Sequence, residues 1–204
     1  SPQHLAISTV MNEKRSTLME ADATWFIEFI NGLPQLIIFG GGHCSRFIAQ
    51  FAHAVGFQIT VVDDRIKFAN STRFPQAAHT VVAEWENVMS SLDIPPQSYI
   101  VIVTRGHMYD EHVLEQVLSC KPAYVGMIGS KRKVTLTFKH LLERGVNESA
   151  LHQVHAPIGL DIGGASPEEI GLSVVAELVK VRRNGRAGNV PHMRDRLPRD
   201  AWAY

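Results

Sequence analysis

The sequence predicts a doubly wound α/β fold, a mostly parallel sheet with helices on both faces. Three observations predict it. Short, nearly all-apolar runs recur along the chain, segments of helical period fall between them, and Pro and Gly gather at the joins. A strand covered on both faces reads as a continuous apolar run, and strands alternating with helices give a parallel sheet with crossover connections.

Taken in chain order, the strand candidates are Leu36–Phe39, Ile59–Val62, Thr80–Ala83, Tyr99–Val103 and Tyr124–Ile128. Helical segments fall at Ser45–Val55, Glu111–Ser119 and Lys131–Arg144. Pro75, Pro95, Pro96, Pro122 and Gly145 stand at the joins, where such residues end elements. A last helix opens at Pro167. Ser166 and Glu169 have the spacing of a capping box, and Pro suits the first helical position. Ile170, Val174, Leu178 and Val181 then form an apolar stripe at helical spacing, which predicts a helix packed on the sheet. Residues 1–34 read as a short β-rich arm, clearest at Trp25–Ile30, and as the remnant of a preceding domain. Residues 35–183 form the α/β domain, and 184–204 a basic, Pro-containing tail.

Composition narrows the function. A chain of 204 residues with 45% hydrophobic and 20% charged residues is one ordinary globular domain with additions at its ends. Twenty Lys and Arg balance twenty Asp and Glu, against the basic excess of a nucleic-acid binder. No apolar run approaches the roughly 20 residues of a membrane span, and the first residues lack the layout of a signal peptide. Cys44 and Cys120 are too few for a disulfide framework. The expectation is a soluble, cytoplasmic protein with neither a nucleic-acid nor a membrane partner.

The chemistry concentrates in the loops that follow strands, because ligands of open α/β sheets bind beyond the carboxyl ends of the strands. After Leu36–Phe39 comes Gly40-Gly41-Gly42, and a helix follows directly. Gly40 permits the tight turn, Gly42 lets the backbone approach a phosphate, and Ser45 is the small residue that packs helix on strand. A helix N-terminus there offers N–H groups and the positive end of a dipole to an anion. Asp63 ends the second strand at the distance expected of an acid that reads a ribose diol. His43 follows the loop and should face the cleft. Cys44, in the first helical turn, is either a thiol activated by the helix or a small buried residue, and packing is the favoured reading.

Two further loops carry polar groups. After the fourth strand, Arg105, His107, Asp110 and His112 form a cleft lip in which His107 and Asp110 contact a ligand or cap the next helix. Their spacing matches no familiar metal site. After the fifth, Gly129 and Ser130 open a helix whose first turn holds Lys131, Arg132 and Lys133. Ser130 suits an N-cap, whereas three cations oppose the helix dipole, a conflict that a bound anion would relieve. Finally, the glycine-rich loop from Pro157 to Gly164 carries Asp161 as its one ionisable side chain.

IFGGGH (Ile38–His43), VVDDR (Val61–Arg65), RFPQA (Arg73–Ala77), VTRGHMYDEHVL (Val103–Leu114), YVGMIGSKRK (Tyr124–Lys133) and APIGLDIGGASPEEI (Ala156–Ile170) occur in that order. Together they resemble the XdhC/CoxI family, accessory factors of xanthine dehydrogenase and related molybdenum hydroxylases. Gly41 and Cys44 stand where the family pattern has Ala and Val. The resemblance implies a Rossmann-like domain that binds the molybdenum cofactor, as molybdopterin or its dinucleotide form, and helps insert it into a xanthine dehydrogenase-like apo-enzyme. A cysteine desulfurase and a second copy of the chain, as a homo-oligomer, are the other partners expected. The cofactor-binding set is then Gly40, Gly41, Gly42, His43, Asp63, Arg105, His107, Gly129, Ser130, Lys131, Arg132 and Asp161, with no catalytic residue and no metal ligand. Two other functions fit the same loop. One is an NAD(P)-dependent oxidoreductase with His43 or His107 as proton donor, although no Tyr-x-x-x-Lys pair accompanies it. The other is a nucleotide-sensing regulatory domain. The cofactor chaperone is the favoured reading.

Overall fold

The computed structural model describes residues 33–183. The expected N-terminal arm, Trp25–Ile30 included, and the basic tail lie outside the described residues. Five strands form one sheet: β1 (Gln35–Phe39), β2 (Gln58–Asp63), β3 (His79–Val82), β4 (Tyr99–Ile102) and β5 (Tyr124–Met127). Their order is β3-β2-β1-β4-β5, and every pairing is parallel. β1 is central, with Ile37 opposite Thr60 on one side and Ile100 on the other. The chain leaves β1 toward β2 and β3, then returns to place β4 on the opposite side. The β1/β4 boundary is therefore the topological switch point, where such sheets leave a crevice for ligand.

Alternation along each strand explains the all-apolar runs. Ile37, Phe39, Val62, Ile100, Ile102, Val125 and Met127 face one core. There α2 (His107–Ser119) contributes Val113, Leu114 and Val117, and α3 (Lys131–Glu143) contributes Val134, Phe138 and Leu141. Leu36, Ile38, Ile59, Val61 and Val101 face the other core. Here α1 (His43–Ala54) supplies Ile48, Ala49 and Ala52, and α5 (Pro167–Arg182) supplies Val174, Val175 and Leu178. Both faces are covered, as the fold class requires.

Boundaries differ from the sequence expectation in instructive places. α2 begins at His107 rather than Glu111, because Gly106 in extended conformation serves as its N-cap. Its first turn, His107-Met108-Tyr109-Asp110, lacks the apolar period that marks the rest. A 3-10 turn at Trp85–Ser91 and the short α4 (Glu148–Leu151) are too brief to show any period. After α4, residues 155–158 pass beside β5, with a single parallel bridge between His155 and Gly126. His155 N–H donates to Val125 O at 2.8 Å, and Ile158 N–H donates to Met127 O at 3.1 Å. Gly126 permits this approach, since a Cβ there would lie 2.4 Å from Ile158 Cδ1.

α5 carries the expected capping box. Ser166 Oγ accepts Glu169 N–H, and Glu169 Oε2 accepts Ser166 N–H at 3.0 Å. The backbone N–H groups of Ser166 and Ala165 hold the Glu169 carboxyl below the usual carboxylate range. α5 lies closely along α1, for a Cβ on Gly171 would meet Phe47 Cβ at 2.7 Å and Ile48 N at 3.2 Å. At their far ends Arg182 donates to Val55 O at 3.1 Å. The two helices therefore run parallel, and both present their N-termini to the carboxyl edge of the sheet. Buried Glu177 on α5 accepts a hydrogen bond from Tyr124 OH and lies 3.1 Å from His155 Nδ1, tying the helix to β5 and its neighbouring stretch.

Candidate functional site

The glycine loop leaves β1 at the switch point. Gly40 has φ of +106°, and a Cβ there would meet Val103 O of the adjoining β4 loop at 2.3 Å, so only glycine fits. Its N–H continues the sheet by donating to Val62 O at 2.7 Å. Buried Ser45 donates from Oγ to Gly40 O at 2.5 Å, which fixes α1 to the loop. Gly41 is also enclosed, with Phe68 O 2.2 Å from where a Cβ would stand. Gly42 differs: it is the N-cap of α1, and a Cβ there would meet nothing within 4 Å. α1 has neither a side-chain cap nor an acid in its first turn. Among the described residues no side chain caps this N-terminus, as an anion site needs.

The turn-rich segment after β2 folds over this loop. Arg73 donates from Nε to Gly41 O at 2.7 Å, while its Nη2 is buried with no hydrogen-bond partner among the described residues. Burial, with Arg46 and Arg65 nearby, pulls the Arg73 guanidinium below its ordinary value. The guanidinium of Arg65 lies 3.7 Å over the ring of Phe68, and that of Arg73 lies 5.1 Å from the same ring. Sequence alone singles out neither arginine as a site residue. The RFPQA segment has no periodicity to draw attention to it, and only its place in the family pattern marks it.

Asp63 does not face the crevice as an open acceptor. Its side chain is 1% exposed, and its oxygens take Gly41 N–H at 2.8 Å and the backbone N–H, Nε and Nη2 of Arg65 at 3.1, 2.8 and 3.2 Å. Burial pushes its pKa up. The Arg65 bonds and the Gly41 N–H outweigh that, so the carboxyl sits below its usual range. In this arrangement Asp63 latches the glycine loop to the end of β2. Asp64 is bridged by Arg65 Nε at 3.2 Å and by Arg105 Nη2 at 3.0 Å. Arg105 lies with its guanidinium 5.4 Å from the Tyr109 ring.

At the β4 and β5 loops the structure redistributes the expected contacts. The side chain of His107 lies outside the described residues; its backbone begins α2. Asp110 is fully buried and accepts Thr104 N–H at 3.1 Å and Thr104 Oγ–H at 2.6 Å. Lys133 Nζ pairs with it and also donates to Ile128 O at 3.2 Å. Burial raises the Asp110 carboxyl, with Lys133 and Thr104 opposing the rise. The clash between the α3 dipole and its three cations is thus partly resolved from within: Lys133 belongs to Asp110 and is not free for an anion. Ser130 is the N-cap, accepting Lys133 N–H at 3.3 Å. Gly129 lies against the Lys133 stem, and Lys131 and Arg132 are exposed. Asp161 is half-buried where the loop emerges from Leu160, itself held by Ser173 Oγ at 2.6 Å.

His43 is exposed at the start of α1. Cys44 is half-buried and packs on the α1/α5 core, and burial pushes its thiol up, away from a reactive thiolate. No group of three or more His, Cys, Asp or Glu among the described residues is placed to hold a metal ion. No helix among them is long and apolar enough to cross a membrane. The mouth of the crevice thus gathers Arg46, Arg65, Arg73 and Arg105 against two carboxylates, Asp63 and Asp64, which are already engaged.

Comparison with known proteins identifies the family. The XdhC Rossmann domain family model matches residues 36–178. The chain is 32% identical over 158 residues to a probable xanthine dehydrogenase subunit of Bacillus subtilis (strain 168), covering 78% of this chain and 46% of that protein. It is 26% identical over 148 residues to the molybdenum cofactor insertion chaperone PaoD of Escherichia coli (strain K12), covering 72% and 40%. The crystal structure of a xanthine dehydrogenase from Bacillus halodurans superposes with a TM-score of 0.67 at 29% identity, over 78% of this chain and 45% of that one. The chain therefore spans less than half the length of each of these proteins.

Proposed function

The chain belongs to the XdhC Rossmann domain family, and from that premise we propose that it binds a phosphate-bearing form of the molybdenum cofactor and hands it to a xanthine dehydrogenase-like apo-enzyme. The observation that carries the reading is the open N-terminus of α1 at Gly42, uncapped and flanked by a buried Arg73 Nη2 that has no partner among the described residues. A helix N-terminus beside a guanidinium fits a phosphate group. The relative named as a molybdenum cofactor insertion chaperone supports the choice of ligand.

In this reading Gly40, Gly41 and Gly42 shape the cradle. The backbone N–H groups of the first turn of α1, from His43 onward, hold the phosphate with Arg73. Arg105 lies on one side. Gly129, Ser130, Lys131 and Arg132 stand at the β5 loop, about two strand spacings or roughly 10 Å from β1, and Asp161 follows Leu160, which is tied to Ser173 of α5. Exposed Lys131 and Arg132 offer a second positive region to an extended anionic ligand. The bound cofactor supplies the redox metal centre that a hydroxylase uses. The residues of this chain bind, orient and release it, and no proton transfer is asked of them. A cysteine desulfurase, a second copy of the chain and a cytoplasmic location belong to the same reading.

The test is Gly42→Val. The new side chain enters open space, so the fold should persist at a cost of about 1 kcal/mol in helix capping. Wild-type protein should bind inorganic pyrophosphate in calorimetry and carry a fluorescent pterin after oxidation, and the folded variant should do neither. Equal pyrophosphate affinity and equal pterin content in the two proteins would show that the glycine loop is not the site.

A further inference from the structure

A carboxylate at the end of the second strand of a doubly wound sheet reads a nucleotide by accepting ribose hydroxyls, which requires lone pairs directed at the ligand. A carboxylate has about four such positions. In Asp63 they meet four donors: Gly41 N–H on Oδ2, Arg65 Nη2 on Oδ2, and the backbone N–H and Nε of Arg65 on Oδ1. Asp64 is itself held in ion pairs, by Arg65 Nε on Oδ1 and Arg105 Nη2 on Oδ2. We propose that Arg65 is a specificity-determining residue. It closes Asp63 to a ribose diol and makes the end of β2 a position for a phosphate monoester.

The proposal rests on the ligand site described above and deepens it. Arg65 is held by more than the ion pair, since its guanidinium lies over the Phe68 ring, 3.7 Å from the centroid. Its side chain stays 30% exposed, while the carboxylate beneath it is 1% exposed. What a ligand meets at this position is therefore a planar cation, with the acid hidden behind it. A guanidinium pairs with phosphate through two parallel hydrogen bonds, and it repays a neutral diol far less. Displacing the Arg65 side chain to reach Asp63 would break its two guanidinium bonds to that carboxylate and leave its charge to be solvated anew. The favoured ligand class carries a terminal phosphate near β2 and does not present a nucleoside diol there. Between the forms of the pterin cofactor, this disfavours the dinucleotide form, whose ribose diol would meet Arg65 in place of Asp63.

The discriminating probes are NAD⁺ and NADP⁺, which differ only in having a diol or a 2′-phosphate at the position in question. Calorimetry on the full chain should show NADP⁺ binding at least about tenfold tighter than NAD⁺. Arg65→Ala should bring the two affinities within about threefold, by weakening NADP⁺ and admitting the diol to Asp63. Arg65→Lys, which keeps a cation, should retain a preference for NADP⁺, and it serves as the variant of record if Arg65→Ala does not fold. Wild-type protein that binds NAD⁺ as tightly as NADP⁺ overturns the proposal without any variant. So does a preference that survives Arg65→Ala, or the failure of both dinucleotides while inorganic pyrophosphate still binds. Loss of pyrophosphate binding as well removes the ligand site itself, and the role of Arg65 falls with it.

Discussion

Asp110 and Lys133 illustrate how a residue's neighbours decide its role. Their positions 23 residues apart carry no sequence signal of pairing, yet the structure buries the acid completely and brings the amine onto it. Removing the cation leaves a buried carboxylate with Thr104 alone, so Lys133→Met should lower stability at neutral pH by about 3–5 kcal/mol in urea denaturation. Lys131→Gln and Arg132→Gln, both at exposed positions, should stay within about 0.5 kcal/mol of wild type. The cost of Lys133→Met should shrink in mildly acidic buffer. Burial already raises the Asp110 carboxyl, and a proton then does part of what the lysine did. Asp63 teaches the same lesson. Its spacing from the glycine loop suggests an acid that reads a sugar, whereas the signal for its actual partner was two residues away in Arg65. Sequence spacing locates a carboxylate well, but the donors that saturate it become visible only when the chain is folded around it.

At the level of elements, β1, β2, β4 and β5 were legible because the sheet is covered on both faces there, so their runs are largely apolar and buried, whereas β3 at the sheet edge has no buried residue. The first turn of α2 was not legible, since His107, Asp110 and their neighbours carry loop-like polarity on a helix that starts from a glycine. Equally hidden was the closeness of α1 and α5. Gly171 is the device that permits it, and nothing in its local sequence distinguishes it from a weak spot in a helix. Gly171→Val gains a little helix propensity but forces a side chain into Phe47 and the backbone of Ile48. The net loss should be about 2 kcal/mol, read as a shift of the urea midpoint with an unchanged slope. An unchanged midpoint would mean that the two helices separate easily, and that their alignment contributes little to the fold.

For the molecule as a whole, the charges that organise the crevice also shape the response of stability to acid. Asp63 has a folded-state pKa below its unfolded value, so its contribution is present above about pH 4 and lost as pH falls through the lower folded value. Asp63→Asn should therefore be less stable than wild type at pH 7 by about 1.5–3 kcal/mol, the worth of charge-assisted hydrogen bonds. The gap should close as both proteins are melted at progressively lower pH. Asp110 has the opposite sign, because burial raises it, and its effect is common to both proteins and cancels in their difference. A gap that stayed constant down to pH 2 would show that the Asp63 charge is not what holds the loop. The parallel course of α1 and α5 has a further consequence, for the order in which the chain is made. Leu36, Ile38, Val61 and Val101 belong to a face that α1 shares with Val174, Val175 and Leu178 of α5. A nascent chain that has delivered all five strands still lacks the helix that finishes this face. The first βα unit of this sheet is thus among its last to be completed, and among the described residues the apolar surface beside the glycine loop lacks its cover until the sixteen residues of α5 emerge.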